Sequence, residues 1–276
     1  MTTPLPPIAA VTTIDEVIAS IQSIIDWSIA NASRLGYFAA LYKRITLAIR
    51  NGIQSGLFDD GPRMERFDVT FASRYFAALN AYFYPAQYPP ISHCWRIAFD
   101  GAQQPAPILV QHMLAGINAH IDLDLGIAAE VVAPGALLPS LHHDFNTVNA
   151  VLASQTSTVV DEIDSLSPVL AELYDLLMKY ELDLIADGLV VVRDAAWDFA
   201  KLLAFEPAIL HPASISLHDL EVAQLGALIL HPPALLANIV AAIASQESRD
   251  IVKNIQTLDG IANHPAPMTK AAAAKI

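Results

Sequence analysis

The sequence predicts an all-α protein: a single-domain bundle of about eight to ten helices around a buried central helix at residues 107–131. Three observations predict it. Apolar residues recur at helical spacing in nearly every segment, with prolines and glycines between the segments. No stretch shows clean strand alternation and no internal repeat is present; Leu189-Val190-Val191-Val192 is strand-like in composition, but its flanks read as helix. Finally, Gly101 to Ile121 holds no Asp, Glu, Lys or Arg, so a helix there is apolar on every side, as one crossing a core must be.

The elements follow in order. Thr13-Ile14-Asp15-Glu16 is a capping-box start, and Val17, Ile21, Ile24, Ile25 and Ile29 form the apolar face behind it. A second helix spans Leu35 to Gln54 and ends near Gly56. After the loop Asp59-Asp60-Gly61-Pro62, a third carries Phe67, Phe71, Tyr75, Phe76, Leu79 and Phe83, until Pro85, Pro89 and Pro90 break the chain. A short helix around Cys94-Trp95-Arg96 precedes the central one. Pro134 and Gly135 then punctuate, and Pro139 suits a first helical turn before the stripe Leu141, Phe145, Val148 and Leu152. Helix continues from Pro168 through Trp197 and Leu203, with a break expected at Gly188. Another runs from Leu217 to Leu230 between proline pairs, and a last one starts near Ala234 and continues past Arg249. The organisation is one helical domain over 1–276: N-terminal helices at 13–56, a core at 60–205, C-terminal helices at 215–260 and a loose tail at 265–276.

Composition narrows the partners. The chain has 276 residues, 54% hydrophobic and 16% charged, enough for a sizeable core. Its formal charge of −13, with no basic cluster, argues against nucleic acid and anionic membrane surfaces. The lone Cys94 rules out an internal disulfide and fits a cytoplasmic setting, and Met1 to Pro7 has no signal-peptide pattern. A mean hydropathy of +0.42 raises the question of a membrane span. The least charged run is interrupted by Pro105, Pro107, Gln111, His112, Asn118 and His120, so no span is expected there. A small-molecule ligand or substrate remains the expected partner, and a homo-oligomer is compatible with the composition.

The polar groups of the central helix carry the functional signal, because burying them is costly unless they are paired or bound. His120 and Asp124 lie i and i+4 and share a face; Asn118 and Asp122 form a second such pair on the other side. His112 is about two turns before His120. An imidazole and a carboxylate one turn apart suit a divalent metal, or a general base held by its carboxylate, or an ordinary hydrogen bond. The next helix, expected antiparallel, brings Asp144 and Asn149 towards that face. His142, the pairs Arg193 with Trp197 and Asp68 with Tyr75, and the histidines at 211, 218, 231 and 264 read as rim contacts, caps and turns. No Gly-rich phosphate loop, Gly-x-Ser-x-Gly elbow, His-Glu-x-x-His or Cys-x-x-Cys occurs, and the Glu-x-x-His pairs of di-iron bundles are missing.

Four segments carry a family resemblance: Arg66 to Phe76, Gln111 to Gly126 with its Asn118-Ala119-His120-Ile121 core, Asp144 to Asn149, and Arg193 to Trp197. Together they resemble the family called domain of unknown function 5995, over residues 60 to 205. The resemblance implies a helical fold and points to His112, Asn118, His120, Asp124, Asp144 and Asn149 as the site; it implies no reaction. Asp122 stands where the family pattern has Asn, adding a negative charge that alters any metal preference. A His-x-x-x-Asp helix is also loosely similar to the zinc-dependent phospholipase C and nuclease group. That group uses the N-terminal amine of a Trp, which Met1 cannot supply.

Three functions fit these residues. The first is a metal-assisted hydrolase or lyase acting on a largely apolar molecule, with a divalent ion on His112, His120 and Asp124, and Asp144 as further ligand or base. The second is a metal-free cyclase or isomerase in which His120 and Asp124 move protons. The third is a non-catalytic binding or structural protein. In the enzymatic readings His120, Asp124 and Asp144 are catalytic, while Asn118, Asn149, Tyr75 and Trp197 contact substrate.

Overall fold

The computed structural model describes residues 3–162, 166–168 and 184–268. Ten helices and no strand occur among them: α1 (Ile14–Ala30), α2 (Leu35–Gln54), α3 (Gly61–Phe83), α4 (His93–Ala102), α5 (109–132), α6 (Leu138–Glu162), α7 (Leu184–Phe205), α8 (His211–Leu230), α9 (Ala234–Ala244) and α10 (Ile251–Ala262). The termini follow the local chemistry. Thr13 and Glu16 close the capping box of α1, Asp60 caps α3 ahead of Pro62, and Asp250 caps α10.

α5 is the buried centre, and it is not one regular helix. Leu109–Ile117 and Gly126–Val132 are α-helical, while Asn118–Leu125 between them is a π-helix, with i to i+5 geometry and a wider turn. Its side chains join two cores. Ala115, Ala119 and Leu123 pack with α1, α2, α4 and α8; Ile121, Leu125 and Ala128 pack with the end of α2, the start of α3, α6 and α7. Two glycines permit the close approach: a Cβ on Gly116 would lie 2.5 Å from the Phe38 ring, and one on Gly126 would lie 2.6 Å from the Ala196 carbonyl.

α2 is a second helix buried nearly all round. Its charge hid this in the sequence. Lys43 reaches Gln22 and pairs with Asp259 at 2.7 Å, and Arg44 donates to Gln155 and to the Ile261 carbonyl at 2.6 Å. Asp259 of α10 thus neutralises Lys43 inside the bundle, and oxygens of α6 and α10 take up the Arg44 guanidinium.

Two expectations need correction. The last helix does not run past Arg249: the chain breaks after Ala244, where the Glu247 carboxylate accepts from Leu109 N and Ser167 Oγ, and Ser248 N bonds the Leu166 carbonyl. The tail expected loose from 265 is held at Ala266, whose N–H and carbonyl both bond Gln155. Residues 269–276, the rest of that expectation, lie outside the described residues, as does the helix expected over 169–183. Gly188 does not break α7, and the Val190 to Val192 run is helical. One described stretch, Ala208–Leu230, is long and apolar enough to cross a membrane by length and composition.

Candidate functional site

The π-helical turn places His120 and Asp124 together at the meeting point of α2, α3, α4 and α5. Both are buried, with His120 Nδ1 3.4 Å from Asp124 Oδ2. Asp124 is fixed from two further sides: Trp95 Nε1 donates to Oδ2 at 2.8 Å, and Arg74 Nε donates to Oδ1 at 2.6 Å. Burial alone would raise the Asp124 carboxyl. The Arg74 guanidinium, with the bonds from His120 and Trp95, outweighs that and holds it below the usual carboxylate range.

The His120 ring sits in an aromatic nest. It stacks on Phe71, with centroids 3.5 Å apart and planes 6° apart, and meets Tyr42 edge-on at 4.6 Å. Phe38, Trp95 and Tyr75 complete the wall at 5.8 to 6.1 Å. Burial lowers the His120 pKa despite the pull of Asp124, so the imidazole is neutral. Asp124 accepts only, so a bond to it requires the hydrogen on Nδ1 and leaves a lone pair on Nε2. That Nε2 is buried without a hydrogen-bond partner.

Two neighbouring oxygens share this condition. The Tyr42 hydroxyl and Asp68 Oδ2 are buried and unpartnered. Thr46 lies beside Tyr42, but its hydroxyl donates to the Tyr42 backbone carbonyl at 3.0 Å. Burial, reinforced by the Asp68 charge, pushes the Tyr42 phenol well up; burial and Glu65 push Asp68 up to about 7. Phe71 and Arg74 are half-buried, so the nest lies close under the surface at that side of α3.

The other sequence-derived residues divide. Tyr75 belongs to the nest, stacked on Trp95 at 5.0 Å. His112 does not join His120: its ring lies beside Tyr37 at 5.9 Å, and burial with the Arg34 charge depresses it to about 4 against the opposing pull of the Pro107 backbone. Asn118 joins α5 to α8 through Nδ2 and the Val222 carbonyl, 2.9 Å apart. Asp122 is half-buried, its carboxyl raised to about 7 by burial, and its backbone carbonyl meets His218 Nε2 at 2.8 Å.

Asp144, Asn149 and Trp197 are elsewhere. Asp144 accepts from the amides of Asp59 at 2.7 Å and Asp60 at 3.1 Å and from Arg63 at 2.9 Å, clasping the start of α3. Free N–H groups at a helix start attract a carboxylate, and the antiparallel α6 offers it to them rather than to His120. Asn149 Oδ1 accepts from Arg193 Nε; Arg193 also donates to the Phe145 carbonyl and lies over the Phe145 ring, with Trp197 packed on that ring at 4.8 Å. The cation–π partner of Arg193 is thus Phe145, not Trp197. Asp219 of α8 caps α4 by accepting from the His93 and Cys94 amides.

Metal chemistry finds a poor donor set at His120. Both Asp124 oxygens face donors, one of them a cation, and His112 is apart. A different group, Asp59, His143 and Asp144, has ligand atoms within 4.8 Å of one another. There, however, Arg63 already occupies an Asp144 oxygen, and Asp59 and His143 are exposed and paired at 2.9 Å.

Sequence reasoning missed Arg74, Trp95, Tyr42 and Phe71, and set Asp68 aside. A signal existed: Asp68, Phe71 and Tyr75 recur at spacings of three and four, which stacks them on one helix face.

Fold and site together define an all-α protein with a desolvated histidine–carboxylate centre on a π-helical turn. The chain belongs to the family described as "Family of unknown function (DUF5995)", which it matches over residues 14–232. No match is found among curated proteins or solved structures. The family match extends beyond the 60–205 span of the motifs to include α1, α2 and α8, and α2 supplies Phe38 and Tyr42 to the nest.

Proposed function

We propose that the protein is a small-molecule enzyme in which His120 acts as a general base towards a largely apolar substrate, by metal-free proton transfer of the isomerase or cyclase kind. The observation that carries this reading is the buried, unpartnered His120 Nε2 on a ring fixed from behind. An unmet acceptor in a core costs about 1–3 kcal/mol, and a structural histidine in this nest could be replaced by Phe without that cost. Asp124 fixes the tautomer and stabilises the imidazolium formed when Nε2 takes a proton; Arg74 and Trp95 fix Asp124. The aromatic wall excludes water and suits an apolar substrate body.

Two measurements test it: imidazole nitrogen NMR and elemental analysis. Expected is a His120 with hydrogen on Nδ1 and a bare Nε2 at neutral pH, with a pKa below the ordinary histidine value of about 6.5. A stoichiometric metal lost in His120→Ala, or a proton resident on Nε2, would overturn the reading in favour of the metal-assisted or structural one.

A further inference from the structure

His120 is one of three unpartnered polar groups here, and the other two differ from it in kind. Nε2 is an acceptor; the Tyr42 hydroxyl and the Asp68 carboxyl come to the nest from α2 and α3. Tyr42 is edge-on to His120 at 4.6 Å. Asp68 lies one turn before Phe71 on the same face of α3, and Phe71 is stacked on His120. Asp68 is also the strongest charged neighbour acting on the Tyr42 phenol. One aromatic nest thus gathers a proton acceptor from α5 and two oxygens from α2 and α3.

Both oxygens can donate near neutral pH. The Tyr42 phenol stays protonated, and Asp68, with burial raising it to about 7, holds its proton over much of that range. A buried neutral carboxylic acid beside a phenol is a strong donor pair for an oxygen that gains negative charge. Donors for a developing oxyanion opposite a base are what removal of a proton beside a carbonyl requires.

We infer that the substrate carries a carbonyl group with an ionisable C–H beside it, its oxygen seated between Tyr42 Oη and Asp68 Oδ2 and that C–H directed at His120 Nε2. This rests on His120 being the base. The C–H bond breaks and its proton goes to Nε2. The electron pair left on carbon forms the C=C bond while the carbonyl π pair moves onto oxygen, where Tyr42 and Asp68 hydrogen-bond it. Return of the proton from Nε2, to the same carbon or to one conjugated with it, restores the carbonyl and the free base. No oxidant, reductant or second substrate is needed. The product is an isomer.

The test compares β-naphthol, whose oxygen mimics an enolate oxygen on an apolar ring, with naphthalene, which lacks it. The native protein should bind β-naphthol about tenfold more tightly than naphthalene. Tyr42→Phe and Asp68→Ala should each cut that preference several-fold with naphthalene affinity unchanged, while Asp68→Asn, which keeps a donor, retains most of it. In heavy water the native protein should also exchange deuterium into a β,γ-unsaturated cyclic ketone; His120→Ala should abolish the exchange and leave the naphthol preference intact. Equal binding of the two probes, or binding of neither by folded protein, overturns the inference. If His120 still shows a bare Nε2, the base reading survives that failure. A naphthol preference in a protein whose Nε2 is protonated keeps the oxygen seat and removes the base.

Discussion

Two regions of the bundle look alike in the sequence and differ in what their polar atoms do. Around His120, three buried polar groups end without a partner: His120 Nε2, Tyr42 Oη and Asp68 Oδ2. Around Asp144 and Arg193, the carboxylate takes three donors at both oxygens, and the guanidinium binds Asn149 and the Phe145 carbonyl while covering an aromatic ring. Each is built on a buried carboxylate that an arginine binds. The second holds α3, α6 and α7 together; the first leaves polar capacity open at the centre of the molecule. Burial of polar residues therefore does not by itself mark a site; what sets the first region apart is three unpartnered polar groups gathered in one aromatic nest.

The comparison breaks most visibly in stability. Asp144→Ala strands Arg63 and the amides of Asp59 and Asp60, and should cost about 3–5 kcal/mol in urea unfolding. His120→Phe keeps the stacking on Phe71 and removes an unmet acceptor along with the 3.4 Å bond to Asp124, which keeps Arg74 and Trp95, so it should stay within about 1 kcal/mol of the native protein. A larger loss for His120→Phe than for Asp144→Ala would show that the His120 centre is the structural one.

How far the sequence could show this depends on the range of the physics. Helical periodicity, caps and the charge-free run are local, so the all-α fold, the ends of α1 and α2 and the His120–Asp124 face were legible. The π-helical turn was not, since its hydrogen-bond register has no compositional mark. Nor was the destination of Asp144. That depends on which amides the antiparallel α6 meets, a tertiary fact 85 residues distant in sequence. Arg74 and Trp95 were missed for the same reason: each meets Asp124 from a different helix.

The pH dependence of stability sharpens the comparison. Asp68 is raised in the fold from 3.8 to about 7. The folded state thus binds its proton more tightly than the unfolded chain, so the associated stability is full below about pH 4 and lost as pH rises through about 7. The difference is on the order of 2–4 kcal/mol. Asp122, raised to a similar value, acts in the same direction. His112 acts oppositely: depressed to about 4, it carries stability present above its ordinary value of 6.5 and lost as pH falls through about 4. Asp68→Asn isolates one contribution. Its melting temperature should gain on the native protein steadily from about pH 5 to 8. Parallel curves for the two proteins would mean that Asp68 is already paired.

Asn118 stands between the two regimes, which makes it the finest test. Its Nδ2 donates to the Val222 carbonyl, but its Oδ1 is buried and unpartnered. Asn118→Leu therefore removes one bond and one unmet acceptor together. The Val222 carbonyl lies within α8 and keeps its helical partner, so the loss should be about 1 kcal/mol rather than the several expected at Asp144. Packing gives a second handle on the same contact. A Cβ at Gly226 would lie 3.1 Å from Asn118 Nδ2 and 3.4 Å from Ile97 Cγ2, so Gly226→Ala presses on the bond from the α8 side. If the Asn118–Val222 bond holds α8 against the π-helical turn, the two substitutions are coupled. Their combined effect should depart from the sum of the separate effects by at least about 0.5 kcal/mol in a double-mutant cycle. Additive losses would show that Gly226 and Asn118 act independently, and that the bond to Val222 contributes nothing to where α8 sits.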